Sequence, residues 1–177
     1  MELLDAQVEI KFGGYTTADQ LLFADWPTHF VSIATPGSQH PTRPRWFHGE
    51  TLELVFRDTR NPIEAGAPGV MQVRRLVEFA ATIPRGARVL VACPGGYSRS
   101  AAVAVVLAVI LGASPTDAFR QMHSDHRQAT PNPVLIRSAE TQLDLDGRLI
   151  VAWTDWLEMM GLNESYFAPL RPGRRRT

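Results

Sequence analysis

One glycine-rich segment holds the residues whose types and spacing could do chemistry. Cys93, the only cysteine of the chain, ends an apolar run, and Arg99 follows it after five intervening residues. This spacing allows the main-chain N–H groups of a short loop to surround one oxyanion while the guanidinium closes over it with two donors. The segment predicts a phosphate cradle with a thiol at its floor. Residues 93–99, here called the phosphate loop, are Cys93, Pro94, Gly95, Gly96, Tyr97, Ser98 and Arg99.

The predicted position of this thiol favours its ionised form. A thiol at a helix N-terminus, close to main-chain amides and an arginine, ionises more readily than a free thiol. The thiolate of Cys93 can attack phosphorus in line and give a thiophosphoryl enzyme that water hydrolyses. Arg99 and the loop amides would stabilise the charge on the phosphoryl oxygens. Because this chemistry needs no metal, we expect neither a metal nor another cofactor.

The segment resembles the signature of the protein tyrosine phosphatase superfamily, His-Cys-x-x-Gly-x-x-Arg-Ser/Thr. The fixed positions are occupied by Cys93, Gly96, Arg99 and Ser100. The chain is similar to the compact dual-specificity-like branch, and in particular to small bacterial tyrosine phosphatase-like proteins. In these an alanine-rich helix, an Ala-Thr-Pro-Asn segment and a Gly-Arg-Leu-Ile helix follow the loop. They recur here at residues 101–113, 129–132 and 147–150, so the resemblance extends from about residue 30 onward.

The resemblance implies roles for residues in and around the phosphate loop. Cys93 is the nucleophile, and Arg99 binds the phosphate together with residues 94–98. The hydroxyl of Ser100 points toward the sulfur and helps the thiolate to leave, which is compatible with a capping role at the helix. Asn132 matches an asparagine that holds the loop through its side chain, although an asparagine beside prolines can equally form a turn.

Asp58 is the candidate general acid that the resemblance implies. It lies 35 positions before Cys93, after a predicted strand. Residues 59–69, rich in proline and glycine, follow it and are long enough to move as a lid. The alternative is that Asp58 caps a turn. The triplet at residues 26–28 resembles the Trp-Pro-Asp sequence of larger tyrosine phosphatases but has a threonine in place of the acid, so it is discarded.

Two residues depart from the family pattern. Ala92 stands where the family has a histidine that supports the thiolate, and Pro94 has no N–H to offer phosphate. We therefore expect a less readily ionised thiol and weaker phosphate binding than in typical members. The substituted nitrogen of Pro94 and the lack of a second cysteine also exclude the protective condensations of a sulfenic acid, so peroxide is expected to carry Cys93 toward sulfinic acid.

The order of predicted elements indicates an α/β fold with a central, mostly parallel sheet flanked by helices. The strand before Cys93 is apolar on both flanks, which is typical of a central strand covered on both faces. The helix from Arg99 is apolar nearly all round and should run through the core. Strands are predicted at residues 8–12, 30–34, 51–56 and 89–91, and helices at residues 16–22, 70–83, 99–111, 114–123, 133–145 and 149–160. Packing of the C-terminal region onto the core is predicted for Trp153, Trp156, Tyr166 and Phe167.

Composition bounds the organisation of the chain. Its 177 residues, 45% of them apolar, predict one domain over residues 1–170, followed by a basic and flexible tail at residues 171–177. Because 18 acidic residues balance 18 basic ones, we expect no nucleic-acid or membrane partner. The single cysteine and the lack of a signal sequence indicate a cytoplasmic protein. The His-Ser-Asp-His cluster at residues 123–126 lacks a further ligand at metal-binding spacing, so no metal site is predicted.

The favoured function is a cysteine-dependent phosphomonoester hydrolase, a tyrosine or dual-specificity phosphatase acting on a phosphorylated protein or a small phosphomonoester. The phosphate loop lacks the lysines of many inositol phosphate and phosphoinositide phosphatases, which makes those substrates less favoured. The alternative is a phosphate-binding pseudophosphatase with weak turnover, because of Ala92 and Pro94. A sulfurtransferase of the rhodanese type ranks third, since its loop is commonly one residue shorter. The sequence leaves the choice between phosphotyrosine and phosphoserine or phosphothreonine open, and also the oligomeric state.

Overall fold

The computed structural model describes residues 8–162, which form a parallel sheet with helices on its faces. The sheet has the order β1-β4-β2-β3, and every neighbouring pair of strands is parallel. The four strands are β1 (Glu9–Gly14), β2 (His29–Ala34), β3 (Glu50–Val55) and β4 (Arg88–Cys93). The predicted α/β fold is confirmed, and the sheet of the described part is parallel throughout rather than mostly parallel.

Six helices of the described part connect and follow these strands. They are α1 (Tyr15–Phe23), α2 (Val70–Ala80), α3 (Arg99–Ile110), α4 (Pro115–Asp125), α5 (Pro133–Leu143) and α6 (Arg148–Met159). Their bounds lie within a few residues of those predicted from apolar spacing. None of the helices in residues 8–162 combines the length and apolar content needed to cross a membrane.

The strand that leads into the phosphate loop is central, as predicted. β4 pairs with β1 on one side and with β2 on the other. Val89 and Val91 belong to the main core, whereas Leu90 and Ala92 belong to a smaller cluster on the face that α1 covers. Both faces of β4 are therefore covered by protein.

The helix that follows the phosphate loop is the core helix that its sequence predicts. Every residue of α3 from 99 through 108 is buried. α6 packs against α4, where the rings of Phe119 and Trp156 stack at 6.1 Å. Trp153 and Trp156 are buried, which confirms their predicted packing, whereas Tyr166, Phe167 and the predicted tail at residues 171–177 lie outside the described residues.

The parallel arrangement brings the carboxyl ends of the strands to one edge of the sheet. Gly14 of β1 is the register partner of Cys93, and Ser32 of β2 is the partner of Ala92. The segments that leave these strands therefore converge around Cys93, which is the usual position of a ligand site in an open parallel sheet.

Candidate active site

The phosphate loop turns sharply at Gly96. This residue has φ of 79°, in the left-handed region that favours glycine. A Cβ built there would lie 2.2 Å from the nitrogen of Gly14 and 2.6 Å from the carbonyl carbon of Gly13. The loop therefore rests directly on the backbone of the turn between β1 and α1, and only glycine allows this approach.

The sulfur of Cys93 lies at the floor of the loop and has two hydrogen-bond partners. Cys93 is a free cysteine and only 2% exposed. The N–H of Gly96 donates to its Sγ at 3.2 Å, and the Oγ of Ser100 is hydrogen bonded to the Sγ at 3.3 Å. An amide and a hydroxyl can both donate to a thiolate, so this environment can hold the ionised sulfur.

Arg99 is held at one end of its guanidinium group. Its Nη1 donates to the hydroxyl of Thr35 at 2.9 Å and to the carbonyl of Phe56 at 3.0 Å. The side chain is buried, and within residues 8–162 its Nε has no hydrogen-bond partner. A buried donor without a partner is costly, and an oxyanion in the loop is the kind of ligand that would satisfy it.

Asp58 is attached to the phosphate loop through hydrogen bonds to one carboxylate oxygen. The hydroxyl of Ser98 donates to Oδ1 at 2.6 Å, and the Nδ2 of Asn132 donates to the same oxygen at 2.9 Å. The structure therefore brings Asp58 and the loop together across 40 positions of sequence. These residues border a cleft of about 220 Å³, which is lined by Asp58, Arg60, Ser98, Thr130, Asn132 and Pro133.

Asn132 joins three segments of the site. Its Oδ1 accepts from the first N–H groups of α5, those of Val134 and Leu135, both at 3.1 Å. Its Nδ2 donates to the carbonyl of Thr59 at 3.0 Å as well as to Asp58. The bond to the phosphate loop comes from its main chain, whose N–H donates to the carbonyl of Ser98 at 3.1 Å. The side chain thus holds the Asp58 segment, whereas sequence reasoning expected it to hold the loop.

The outer residues of the loop form the mouth of the site. Pro94 and Gly95 are exposed. Tyr97 is 48% exposed, and its ring contacts that of His126 in a T-shaped arrangement at 5.1 Å. Within residues 8–162, no three histidine, cysteine, aspartate or glutamate side chains are grouped as metal ligands, the cluster at residues 123–126 included.

Sequence reasoning missed the residues that support the loop from outside. Thr35 and the carbonyl of Phe56 hold Arg99, and Gly13 and Gly14 lie under Gly96. Each of them lies at or just beyond the carboxyl end of a strand that neighbours β4 or β2. The convergence of strand ends in a parallel sheet could have identified these segments, but not which atoms make contact.

Comparison with known proteins identifies the fold. No protein-family model and no curated protein matches the sequence. Among solved structures, the human tyrosine phosphatase-like serine/threonine/tyrosine-interacting protein is 22% identical, with a TM-score of 0.60 over 77% of this chain and 92% of that chain. Human DUSP28 is 23% identical, with a TM-score of 0.57 over 76% and 88%. PTPMT1 is 17% identical, with a TM-score of 0.54 over 81% and 95%.

At these identities the likeness shows the fold, which is that of dual-specificity and tyrosine phosphatases. The predicted similarity to bacterial members in particular stays a prediction.

Proposed function

We propose that this chain is a cysteine-dependent, metal-independent phosphomonoester hydrolase of the tyrosine or dual-specificity type. Its substrate would be a phosphorylated protein or a small phosphomonoester. The observation that carries the proposal is the pairing of two features in one loop. The sulfur of Cys93 receives a main-chain N–H at 3.2 Å, and the buried Nε of Arg99 has no partner within the described residues.

In the first step the loop binds the phosphoryl group and the thiolate attacks it. The N–H groups of Gly95, Tyr97 and Ser98 and the guanidinium of Arg99 hold the phosphoryl oxygens. A bond forms between the sulfur of Cys93 and phosphorus, and the ester bond from phosphorus to the leaving oxygen breaks. Asp58 gives its proton to that oxygen. Both donors to Asp58 meet its Oδ1, so we assign the transferred proton to Oδ2.

In the second step water hydrolyses the thiophosphoryl intermediate. The carboxylate of Asp58 takes a proton from the water as it attacks phosphorus. The bond between sulfur and phosphorus breaks, and the electron pair returns to the sulfur. The hydroxyl of Ser100, 3.3 Å from that sulfur, can donate a hydrogen bond to the departing thiolate.

A phosphate-binding pseudophosphatase is the second candidate. It is favoured by Ala92, which places no imidazole beside the nucleophile, and by Pro94, which brings no N–H to the mouth of the loop. Such a module would recognise phosphorylated partners and turn them over slowly. The attachment of Asp58 to Ser98 argues for the hydrolase, because a module that only binds has no use for a proton donor at this place.

The test is hydrolysis of para-nitrophenyl phosphate from pH 4 to 8 in the presence of a chelator. Turnover by the wild type that is lost in Cys93→Ser supports the hydrolase. Asp58→Asn keeps an oxygen for Ser98 and Asn132 but cannot give a proton, so its rate at the optimum should fall by about 10²-fold or more while the protein stays folded. A folded wild type that binds vanadate without turnover would favour the pseudophosphatase. Consumption of cyanide that depends on thiosulfate would instead indicate a sulfurtransferase.

A further inference from the structure

A network of three polar side chains lies behind the phosphate loop, on the face of the sheet that α1 covers. Ser32 is 1% exposed, and its Oγ is 2.7 Å from the Nδ1 of His40. The hydroxyl of Tyr15 donates to the carbonyl of Ile33, the residue after Ser32 in β2, at 2.8 Å, and the side chain of Ser32 acts to lower the pKa of Tyr15. The proposed reaction uses none of these groups. We refer to Tyr15, Ser32 and His40 as the rear network.

The rear network adjoins the strand that carries the nucleophile. Ser32 is the register partner of Ala92, and register partners in neighbouring strands point to the same face of a sheet. Ala92 belongs to the small buried cluster against which Tyr15 packs. The network therefore lies beside the residue that directly precedes Cys93.

A backbone contact connects the rear network to the sulfur. Tyr15 follows Gly14, and a Cβ at Gly96 would lie 2.2 Å from the nitrogen of Gly14. The N–H of Gly96 is also the donor to the Sγ of Cys93. The hydrogen bond from Tyr15 to Ile33 therefore helps to fix the backbone of Gly14, against which Gly96 and its N–H pack.

The surroundings of Tyr15 keep its hydroxyl protonated, so that it can act as a hydrogen-bond donor. Burial raises the pKa of Tyr15 above its ordinary value; the hydrogen bond from Ser32 and the charge of Arg99 act against this rise, and the charge of Cys93 adds to it. The phenol therefore keeps its proton at neutral pH and continues to donate to Ile33. Among the described residues, the titratable and charged groups at or behind the loop include Tyr15, His40, Asp58, Arg60, Cys93, Arg99 and His126.

The direction of the hydrogen bonds depends on His40. When its Nδ1 carries a proton, Nδ1–H donates to Ser32, and the Ser32 hydroxyl proton is free to turn toward Tyr15, which donates to Ile33. When Nδ1 is unprotonated, the Ser32 hydroxyl donates to it and no longer faces Tyr15.

We propose that Tyr15, Ser32 and His40 are positioning residues for the thiolate of Cys93. They hold the turn between β1 and α1 in place, and so keep the N–H of Gly96 within bonding distance of the sulfur. Their effect on catalysis rests on the proposed function. Their effect on the ionisation of Cys93 can be measured without turnover.

The test is the rate at which iodoacetamide alkylates Cys93, measured as a function of pH. Cys93 is the only cysteine, so the midpoint of the profile reports the thiolate of one group. Tyr15→Phe, Ser32→Ala and His40→Gln should each raise the midpoint, and the alkylation rate at pH 6 should fall by about threefold to tenfold. The acidic limb of phosphatase activity should move in the same direction.

His29→Gln is the matched control. His29 makes the same kind of contact, with its Nδ1 2.9 Å from the hydroxyl of Thr28, but it lies at the opposite end of β2. Its substitution should leave the alkylation midpoint where it is in the wild type. Tyr15→Phe removes one oxygen and keeps the ring packed on its apolar cluster. If another variant fails to fold, the alkylation midpoint of Tyr15→Phe alone tests the role of the rear network.

Raised midpoints in the network variants, with no change in His29→Gln, support the proposal. An unchanged midpoint in a folded Tyr15→Phe overturns it, even if that variant is less stable. A wild type that is alkylated with a low midpoint but hydrolyses no phosphomonoester would contradict the proposed function. In that case the alkylation profiles would still decide the role of the rear network.

Discussion

The requirement for glycine at position 96 gives the sharpest prediction. In Gly96→Ala the new Cβ would lie 2.2 Å from the nitrogen of Gly14 and 2.6 Å from the carbonyl carbon of Gly13. Both are main-chain atoms of the turn between β1 and α1, so neither can give way by a change of rotamer. The loop must shift, and the N–H of Gly96 must move away from the sulfur of Cys93.

Two costs determine the size of the effect. An alanine at φ of 79° carries strain of about 1–2 kcal/mol. Forcing an extra methyl group into a packed interior costs about 1–3 kcal/mol more. The free energy of unfolding should therefore fall by about 2–5 kcal/mol. For a domain of this size, that corresponds to a melting temperature lower by about 5–15 °C.

Gly95→Ala is the control, because it adds the same methyl group to the neighbouring residue. Gly95 is exposed, and the nearest atom to its Cβ would be Cδ2 of Tyr97 at an ordinary 3.8 Å. Its stability should stay within about 0.5 kcal/mol of the wild type. Thermal unfolding and the alkylation profile of Cys93 measure the two effects. A Gly96→Ala variant that melts within about 2 °C of the wild type and alkylates at the same midpoint would show that position 96 does not require glycine.

Three further outcomes are expected. Arg99→Lys should lower the rate with an aryl phosphate by about 10²-fold or more. An ammonium group cannot bond both the Thr35 hydroxyl and the Phe56 carbonyl, which now accept from Nη1, and also reach phosphate. A rate within about threefold of the wild type would contradict this. Asn132→Ala should lower the free energy of unfolding, measured by urea denaturation, by about 2–4 kcal/mol. The substitution removes the cap of α5 together with the bonds to Asp58 and Thr59. A decrease below about 1 kcal/mol would count against this role. Peroxide should inactivate Cys93 in a way that dithiothreitol does not reverse; full recovery would show that Pro94 does not block a protective intermediate.

The fold could be predicted from the sequence because its strongest signals are local. The apolar run before Cys93 and the nearly all-apolar helix after Arg99 have no stable position except the centre of the molecule. A strand and a helix joined by a short glycine-rich loop then require parallel neighbours and helices on both faces. The order of the strands was not predicted, because it depends on which strands pair across long separations in the sequence.

Spacing alone defines the geometry of the candidate site only where its residues are close in the sequence; Asp58 and Asn132, which are distant from Cys93, were identified through the family resemblance. Cys93, Arg99 and Ser100 share one loop and helix start, so their spacing defines their geometry. Thr35 and Tyr15 have no such spacing, and neither belongs to a recognisable motif. They reach the site because β1 and β2 flank β4 with their carboxyl ends at the same edge.

The way in which Asp58 is held bears on the proton transfer that we propose for it. Residues 59–69 were expected to move as a lid, but the segment next to Asp58 is bonded at several points. The hydroxyl of Thr59 donates to Glu64, its carbonyl accepts from Asn132, and the N–H of Arg57 donates to Gly66 at 2.7 Å. Asp58 itself is bonded to Ser98 of the phosphate loop.

This arrangement places Asp58, the proposed acid, beside the loop in the folded protein. Closing a lid to bring an acid into reach would cost conformational freedom at each turnover, whereas an acid that is already fixed has met that cost on folding. The same bonds connect the two halves of the proposed chemistry. Ser98, whose hydroxyl donates to Asp58 at 2.6 Å, directly precedes Arg99, so the proposed proton donor is bonded to the residue next to the proposed phosphate clamp. We therefore interpret the site as preorganised around the loop, with the cleft beside Asp58 open to the leaving group.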